Sequence, residues 1–477
     1  MTLKKRVFGG VKWVAFANIA QQVVSLIGII VFAKLLSPED FGTFSILMVF
    51  VGFLIIFSDL GISAALIHFE NASEELLSSM FFFNVFIGFT LALLLILSAE
   101  PIAKFFDSVQ LKPLLQITAL NFIIISFSIV QKAILQKNID FKYLSLINSF
   151  SLLVGLVVGI GAAYYGYGVY SLVIQVIIAS LLTSVLIWYY SQWRPKWYFS
   201  FGEIKKIWKY TSNLSLFNII NYFSKNADNF LIGKYLSMSA LGVYSIAYKI
   251  MLYPIQNITN ILIHVLFPAF AKLQEDNERF KKAYLQVIFY IALITFPLMI
   301  GLMTVADLLV NLLFEDKWTG LALLLFILAP VGMLRSILST VGMIYMSKGS
   351  TDVQLKLGTV NAIVIIVGFL IGLQFGVVGV AVSYFVSHII MFYPVLKISW
   401  KQIDLDVYEG LAKIMPVLII SMMMGASIYL FEVLWFVEIA NHFLRLLVML
   451  TVGTLLYLGM IRIRYGSLRT LIRSVKS

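Results

Sequence analysis

Two stretches of this chain decide its fold, and they are copies of one another. Residues 18–45 read "NIAQQVVSLIGIIVFAKLLSPEDFGTFS" and residues 218–245 read "NIINYFSKNADNFLIGKYLSMSALGVYS". The two align without a gap at an offset of 200 residues, and their identities concentrate around one loop. The identical pairs are Asn18/Asn218, Ile19/Ile219, Lys34/Lys234, Leu36/Leu236, Ser37/Ser237, Gly42/Gly242 and Ser45/Ser245. This repeat predicts a protein built from two related halves.

The composition defines the environment in which those halves fold. Of 477 residues, 61% are hydrophobic and 12% are charged, and the mean hydropathy is +0.97. Soluble domains carry about 25% charged residues, so we predict an integral membrane protein. The sequence has no cysteine, which excludes disulfides and thiolate metal sites. Its four histidines lack the short spacing of a helical metal pair, so no metal site is predicted.

Hydropathy divides the chain into fourteen apolar segments, each of about 20 residues or more and so long enough to span a bilayer. We number them spans 1 to 14: 11–34, 42–67, 78–99, 112–134, 144–165, 168–190, 208–233, 241–270, 283–310, 320–346, 356–375, 377–396, 412–431 and 441–461. The longest connection, 191–207, is too short to fold as a soluble catalytic or nucleotide-binding domain. The basic N-terminus runs into span 1 without an A-x-A cleavage signature, which predicts a retained helix instead of a signal peptide.

Lysine and arginine are distributed unevenly between the two sides of the membrane. The side that holds the N-terminus carries 26 of them, the opposite side carries 5, and 4 lie inside spans. Because cytoplasmic loops are enriched in basic residues, we predict that both termini are cytoplasmic and that the protein lies in the inner (cytoplasmic) membrane. The net charge of +12 then reflects topology and does not indicate a nucleic-acid partner. Arg445, near the outer end of span 14, is predicted to snorkel to the interface.

Six spans separate the two repeat copies, so both copies have the same orientation in the membrane. We predict an all-α polytopic fold with about fourteen transmembrane helices: two six-helix lobes in a parallel pseudo-repeat, followed by two extra C-terminal helices. The boundaries are 1–190 for the N-terminal lobe, 191–207 for a cytoplasmic linker, 208–396 for the C-terminal lobe, and 397–477 for spans 13 and 14 with a basic cytoplasmic tail. Transporters of this type bind their substrate between the lobes.

Polar side chains recur at steps of three and four along spans 1, 7 and 8, which places them on one face of each helix. Because lipid cannot solvate such a face, we expect it to line a hydrated cavity. The predicted lining residues are Asn18, Gln21, Gln22, Asn218, Asn221, Asn229, Tyr253, Gln256 and Asn260.

Five of the charged residues within the spans are candidate functional residues. Lys225, Lys249 and Arg335 supply three positive charges, and Asp59 and Asp228 supply two negative ones. A charge at the centre of a bilayer costs about 2.5–3.5 kcal/mol on insertion scales, which makes a structural accident improbable. The excess of cations favours an anionic ligand, since lysine binds a phosphate as a point charge and arginine binds it as a fork.

Simpler interpretations stay open for several of these residues. Lys225 and Asp228 have the i,i+3 spacing of a local ion pair on one helix. Lys249 and Asp59 could form a structural lock between the lobes. His264 is either a packing histidine or a proton relay.

Sequence signatures of two enzyme classes are absent. No G-x-x-x-x-G-K-[ST] motif occurs, so ATP binding by a P-loop is not indicated. The predicted external loops are too short to build a site with two catalytic carboxylates. The sequence therefore favours a transporter over an enzyme.

Several longer motifs resemble a known family. They are a basic leader ending in "GGVKW" (9–13), then "LLSPEDFG" (35–42), "SDLGISAALIH" (58–68) and "NADNFLIGKYLSMSALGVYSIAYKI" (226–250). Together they resemble the bacterial polysaccharide-transporter family, the Wzx-type flippases of lipid-linked oligosaccharides in the multidrug/oligosaccharidyl-lipid/polysaccharide (MOP) superfamily. Within that family the chain is similar to the branch that exports colanic and teichuronic acid-like polymers. Spans 13 and 14 match the family less well.

The resemblance implies a fold, a cargo and a set of partners. It implies a MATE-like, V-shaped pair of six-helix lobes that alternate access, without enzymatic activity or a cofactor. The implied cargo is an undecaprenyl-pyrophosphate-linked oligosaccharide repeat unit, carried across the lipid bilayer for O-antigen, lipopolysaccharide or exopolysaccharide synthesis. A polysaccharide polymerase and a chain-length regulator are candidate partners. Coupling to a proton or sodium gradient would involve Asp59, Asp228 and His264.

Two other functions compete with this one. A cation-coupled multidrug antiporter of the same superfamily should carry acidic and aromatic residues at its site, whereas the charges here are mainly positive. A membrane-embedded polysaccharide polymerase or glycosyltransferase would need catalytic groups on long external loops. The predicted loops here have about a dozen residues or fewer.

Overall fold

The computed structural model of the chain describes residues 3–59, 73–138, 140–202, 222, 225–434 and 441–466. Side chains are described throughout these ranges except at 3–16, 59, 257–269, 271, 272 and 351. Every regular element in these ranges is a helix. The α-helices are Leu3–Leu35, Pro38–Asp59, Glu74–Phe105, Leu111–Thr118, Leu120–Ser126, Ile129–Lys137, Phe141–Tyr164, Tyr170–Tyr190, Met238–Lys272, Asn277–Leu313, Leu321–Leu338, Val341–Lys348, Thr351–Gly372, Gly376–Lys401, Val407–Leu434 and His442–Tyr465, and residues 225–235 are also helical.

Each of the fourteen predicted spans overlaps helical residues in the described part of the chain. Ten of the described helical segments are long and apolar enough to cross a membrane, or eleven if a bent helix pair counts as one span. One of the ten, Asp352–Lys401, covers spans 11 and 12 together. A short 3-10 turn at Leu373–Phe375 divides it, and Gly376 ends the turn with a φ of 71°, which favours glycine. The prediction of an all-α polytopic membrane protein is confirmed.

Span 4 is a broken helix. Its two parts, Leu111–Ser126 and Ile129–Lys137, are bent by 43°. Two serines form the break by bonding back to their own helix: the Ser126 hydroxyl donates to the Ile123 carbonyl (2.7 Å), and the Ser128 hydroxyl donates to the Ile125 carbonyl (3.1 Å). Such back-bonding competes with the helix ladder and bends it.

The chain folds as two compact units, Met1–Gly242 and Val243–Ser477. The division falls early in the Met238–Lys272 helix of the second repeat copy, so the loop before that helix belongs to the first unit. The predicted lobe boundaries at 190 and 208 stay a prediction.

Within the first unit, the loops of the two repeat copies contact each other reciprocally. A β-carbon placed on Gly42 would lie 1.7 Å from the carbonyl oxygen of Met238, and one placed on Gly242 would lie 1.8 Å from the carbonyl oxygen of Pro38. Pro38 and Met238 are themselves equivalent at the offset of 200. Gly42 of the first copy thus contacts Met238 of the second, and their equivalents Gly242 and Pro38 contact each other in the same way. Such a reciprocal contact relates the two copies by a local two-fold axis. The contact explains why both copies carry glycine at this position.

In the second unit, spans 13 and 14 pack against span 9. Their shared core consists of Ile300, Val305, Leu308, Ile420, Met424, Ile428, Met449, Tyr457 and Ile461. The Tyr457 hydroxyl also donates a hydrogen bond to the Leu293 carbonyl at 2.7 Å. Because lipid is as apolar as these side chains, close packing holds such helices together rather than exclusion of water. The two C-terminal helices are therefore an integral part of the second unit.

Candidate functional site

Arg335 lies in a cradle of two tyrosines in the second unit. Its Nη1 donates a hydrogen bond to the hydroxyl of Tyr248 and another to the hydroxyl of Tyr384, each at 2.6 Å. The guanidinium carbon also lies 5.6 Å from the centre of the Tyr248 ring. These residues come from spans 8, 10 and 12, so the contact joins three helices around one cation.

The chemistry of this cradle preserves the positive charge. A phenol hydroxyl is neutral at physiological pH, so it fixes the orientation of a guanidinium without neutralising it. A carboxylate in the same place would orient the guanidinium and also neutralise its charge. The side chain of Arg335 is half-buried. The two tyrosines thus hold an oriented cation, which is the group that binds phosphate in a fork.

His388 completes the cradle and was not predicted from the sequence. The imidazole is 4% exposed, and its ring meets the Tyr384 ring edge-on with centres 4.4 Å apart. Its Nδ1 lies 2.9 Å from the Tyr384 carbonyl oxygen. A carbonyl only accepts, so Nδ1 carries a proton in this contact. The i,i+4 spacing of Tyr384 and His388 in an apolar span was the signal available in the sequence.

Lys225 and Asp228 share one helix in the first unit but differ in burial. The Lys225 side chain is exposed, whereas Asp228 is 3% exposed. The Asp228 Oδ1 accepts a hydrogen bond from the Asn229 backbone N–H at 2.8 Å. Asn226, two residues earlier, donates from Nδ2 to the Tyr222 carbonyl at 2.9 Å. In the described part of span 7, Asn226 and Asp228 therefore bond to the backbone of their own helix, while Lys225 presents an exposed ammonium.

Lys249 lies on an exposed face of the Met238–Lys272 helix. Gln256, two turns further on, is exposed as well, and Tyr253 between them is half-buried, while Met251 and Ile255 form the buried face. Within the described residues, no carboxylate lies within ion-pairing distance of Lys249. Lys249 directly follows Tyr248 in the chain. The same helix therefore carries Lys249 and one of the two tyrosines that bind Arg335.

In span 1, the three predicted residues have different surroundings. Gln21 donates from Nε2 to the Ser149 hydroxyl at 3.0 Å, which links span 1 to span 5. Asn18 is exposed and Gln22 is half-buried. Of the other predicted residues, Asn218 and Asn221 and the side chains of Asp59, Asn260 and His264 lie outside the described residues.

The interpretation of Arg445 was wrong. Instead of reaching out to the interface, its Nη2 pairs with the Glu432 carboxylate at 2.7 Å, and the two side chains are 17% and 20% exposed. Glu432 ends span 13 and Arg445 begins span 14, so the pair fastens the two C-terminal helices together. At a half-buried position, a nearby carboxylate stabilises a guanidinium better than a long path to water.

We expect Glu432→Gln to lower the stability of the protein. Removing one partner of a buried pair leaves an uncompensated charge and costs about 3–5 kcal/mol when burial is complete, so about 2 kcal/mol is expected at this partial burial. Thermal unfolding in detergent measures the loss. The exchanged variant Glu432→Arg with Arg445→Glu should recover most of it. An unchanged unfolding temperature for Glu432→Gln would show that the pair contributes nothing.

Comparison with known proteins supports this fold over nearly the whole chain. The structure resembles the Lipid II flippase MurJ in its inward closed conformation, with a TM-score of 0.80, 21% sequence identity, and coverage of 96% of this chain and 99% of that one. In sequence, the chain is 26% identical to the lipopolysaccharide biosynthesis protein WzxC of Escherichia coli K12 over 89% of each chain. It is 28% identical to the teichuronic acid biosynthesis protein TuaB of Bacillus subtilis over 74% of this chain and 73% of the relative.

These likenesses define the fold: a polytopic helical membrane protein with the fold seen in MurJ and in a MATE-family transporter of the MOP superfamily. The family model described as "Polysaccharide biosynthesis protein" matches residues 31–323, which is more than half of the chain. The chain belongs to this polysaccharide biosynthesis family.

Proposed function

We propose that the protein translocates an undecaprenyl-pyrophosphate-linked oligosaccharide repeat unit across the cytoplasmic membrane by alternating access. The export serves synthesis of a surface polysaccharide. Membership of the polysaccharide biosynthesis family supports the pathway, and likeness to a Lipid II flippase supports a lipid-linked sugar as cargo. Both termini are proposed to be cytoplasmic because basic residues dominate that side of the spans.

The observation that carries the proposal is the Arg335 cradle. Two neutral hydroxyls at 2.6 Å orient the guanidinium of Arg335 inside an apolar span. An intramembrane arginine is costly, and such residues commonly mark substrate pathways. The pyrophosphate of the cargo is its most charged group and the one least soluble in the bilayer. Arg335 is therefore proposed to bind that group, with its fork on the phosphate oxygens.

Lys225 in the first unit and Lys249 in the second are proposed as further cations that attract the anionic cargo. Each is an exposed ammonium within a predicted span. Point charges of this kind attract an anion over several ångströms in a low-dielectric surrounding. The remaining lining residues, which include Gln22 and Gln256, would bind sugar hydroxyls through donor and acceptor groups on one amide.

Alternating access is proposed to use the internal repeat. Two related halves that change their relative tilt expose one site to each side of the membrane in turn. The reciprocal glycine contact between the repeat loops gives the copies a close meeting point with backbone against backbone. Energy input is proposed to come from a proton or sodium gradient acting through Asp59, Asp228 or His264. A polymerase and a chain-length regulator are proposed to take over the product.

Deletion of the gene in its native host tests the function directly. We expect a complete lipid-linked repeat unit to accumulate in the membrane and surface polysaccharide to be lost, because the block lies after assembly of the unit. Mass spectrometry of extracted polyprenyl lipids measures the accumulation and identifies the sugar. Unchanged lipid-linked sugars together with altered drug resistance would contradict the proposal and favour the multidrug antiporter.

A further inference from the structure

In the second unit, a groove lies between the first turns of the Val407–Leu434 helix and the last turn of the His442–Tyr465 helix. Its volume is about 620 Å³. Apolar side chains of span 13 form one wall, among them Leu411, Met415 and Ile419, and Tyr408 and Arg464 lie at one end. Tyr408 is 82% exposed and Ile419 is 49% exposed. An apolar groove that the described residues leave open is a surface for a binding partner.

The dimensions of the groove match one leaflet of a bilayer. It follows span 13 from Tyr408 to Ile419, and at 1.5 Å per residue this distance is about 16 Å. Half of a hydrocarbon core about 30 Å thick is about 15 Å. The groove is thus as deep as the acyl region of a single leaflet, while a polyprenyl chain is much longer than that.

The charge of the groove is concentrated at its end. Arg464 is exposed, and no carboxylate of the described residues pairs with it. Glu409 lies close by in sequence to Tyr408, but its carboxylate is already bound by the Lys281 ammonium at 2.7 Å. Arg464 belongs to the basic end of span 14 that the charge distribution places at the cytoplasmic surface. A cation at headgroup level above an apolar groove is complementary to an anionic lipid.

We infer that this groove binds a single anionic phospholipid of the cytoplasmic leaflet. Its phosphate contacts the Arg464 guanidinium, and one acyl chain lies along Leu411, Met415 and Ile419. The lipid covers apolar surface where spans 13 and 14 diverge and so stabilises the pair of C-terminal helices. The inference does not depend on the identity of the cargo, since no residue of the proposed transport site lines the groove.

Lipid titration of the purified full-length protein tests the inference. Phosphatidylglycerol or phosphatidylcholine is added to delipidated protein in detergent, and native mass spectrometry counts the bound lipids. Both lipids carry the phosphate, but the choline cation of phosphatidylcholine offsets its charge near Arg464, so we expect at least about tenfold tighter binding of phosphatidylglycerol. Arg464→Gln should abolish this preference. Arg462→Gln is the matched control, because Arg462 is exposed on the same helix end but does not line the groove, and it should keep the preference.

A second variant separates the groove from the charge. Met415→Trp fills the groove and should remove tight binding of both lipids while Arg464 is intact. Equal preference in wild type and Arg464→Gln overturns the inference. So does tighter binding of a polyprenyl phosphate than of phosphatidylglycerol at this site, which would make it a cargo site. Binding that appears only after removal of residues 467–477 would show that the chain's own C-terminus occupies the groove, and this also overturns it.

Discussion

Replacing Arg335 with alanine is expected to abolish export of the surface polysaccharide while leaving the protein inserted in the membrane. The substitution removes a guanidinium that two tyrosine hydroxyls orient at 2.6 Å. Losing one partner of a desolvated charge contact costs about 2–5 kcal/mol, which lowers transport by about thirtyfold or more. Quantification of surface polysaccharide in the complemented deletion strain measures the effect, with membrane protein levels by immunoblot.

Related variants show whether the charge or its orientation matters. Arg335→Lys keeps the charge without the fork and should retain partial export. Tyr248→Phe and Tyr384→Phe keep both rings but remove the acceptors of the two hydrogen bonds, and each should weaken export less than Arg335→Ala. Lys225→Ala and Lys249→Ala are expected to reduce export as well. Normal polysaccharide from the alanine variants of all three cations would remove them from the mechanism.

Replacing Gly42 or Gly242 with alanine is expected to disrupt the contact between the repeat loops. The added β-carbon would lie 1.7 Å or 1.8 Å from a backbone carbonyl oxygen, and a backbone atom cannot rotate away as a side chain can. Overpacking of this kind costs about 1–3 kcal/mol. We expect a lower unfolding temperature in detergent and a severe loss of export for each variant, since the loops must separate by more than an ångström to admit the methyl group.

A glycine elsewhere in the first unit supplies the control. At Gly161, in the Phe141–Tyr164 helix, a β-carbon would meet nothing within 4 Å. Gly161→Ala should therefore leave export unchanged and raise stability slightly, because alanine favours a helix by about 1 kcal/mol over glycine. If Gly42→Ala and Gly242→Ala behaved like Gly161→Ala, the close contact between the repeat loops would not exist in the membrane.

The sequence was sufficient to predict the helices because the bilayer imposes a simple rule on the chain. Each span needs about 20 apolar residues, and this requirement is visible residue by residue. The repeat was visible too, since Gly42 and Gly242 stand at equivalent places in two aligned loops. What the alignment did not show is that the two glycines touch the carbonyls of each other's loops. Identity at a position indicates a shared constraint but not the atom that imposes it.

The partners of the intramembrane charges could not be predicted in the same way. Tyr248 and Tyr384 are separated by 136 residues and meet Arg335 only because three helices pack together. Helical periodicity predicts which face a residue occupies but not which helix lies opposite. Glu432 and Arg445 are only 13 residues apart. Even so, the position of Arg445 near the end of an apolar span predicts snorkelling and gives no sign of its partner.

Polar stripes carry the same ambiguity. A row of amides at steps of three and four is compatible with the lining of a hydrated cavity and equally with a helix–helix contact. Gln21, bonded to Ser149 at 3.0 Å, belongs to the second kind at least in part. Lys249 is exposed and has no carboxylate partner among the described residues, as expected of a residue that lines a hydrated cavity. The burial of each side chain and its hydrogen-bond partners distinguish a cavity lining from a helix–helix contact. Both observations come only from the three-dimensional structure.

Transport by the purified protein in lipid vesicles tests the central claim most directly. Vesicles carrying a polyprenyl-pyrophosphate-linked oligosaccharide are treated with a membrane-impermeant glycosidase, and the fraction of cargo that becomes accessible from the inner leaflet is followed over time. The wild-type protein should transfer the cargo, and the variant Lys225→Ala, Lys249→Ala, Arg335→Ala should be no faster than protein-free vesicles. Transfer by that triple variant at the wild-type rate would contradict the claim that these cations carry the pyrophosphate across the membrane.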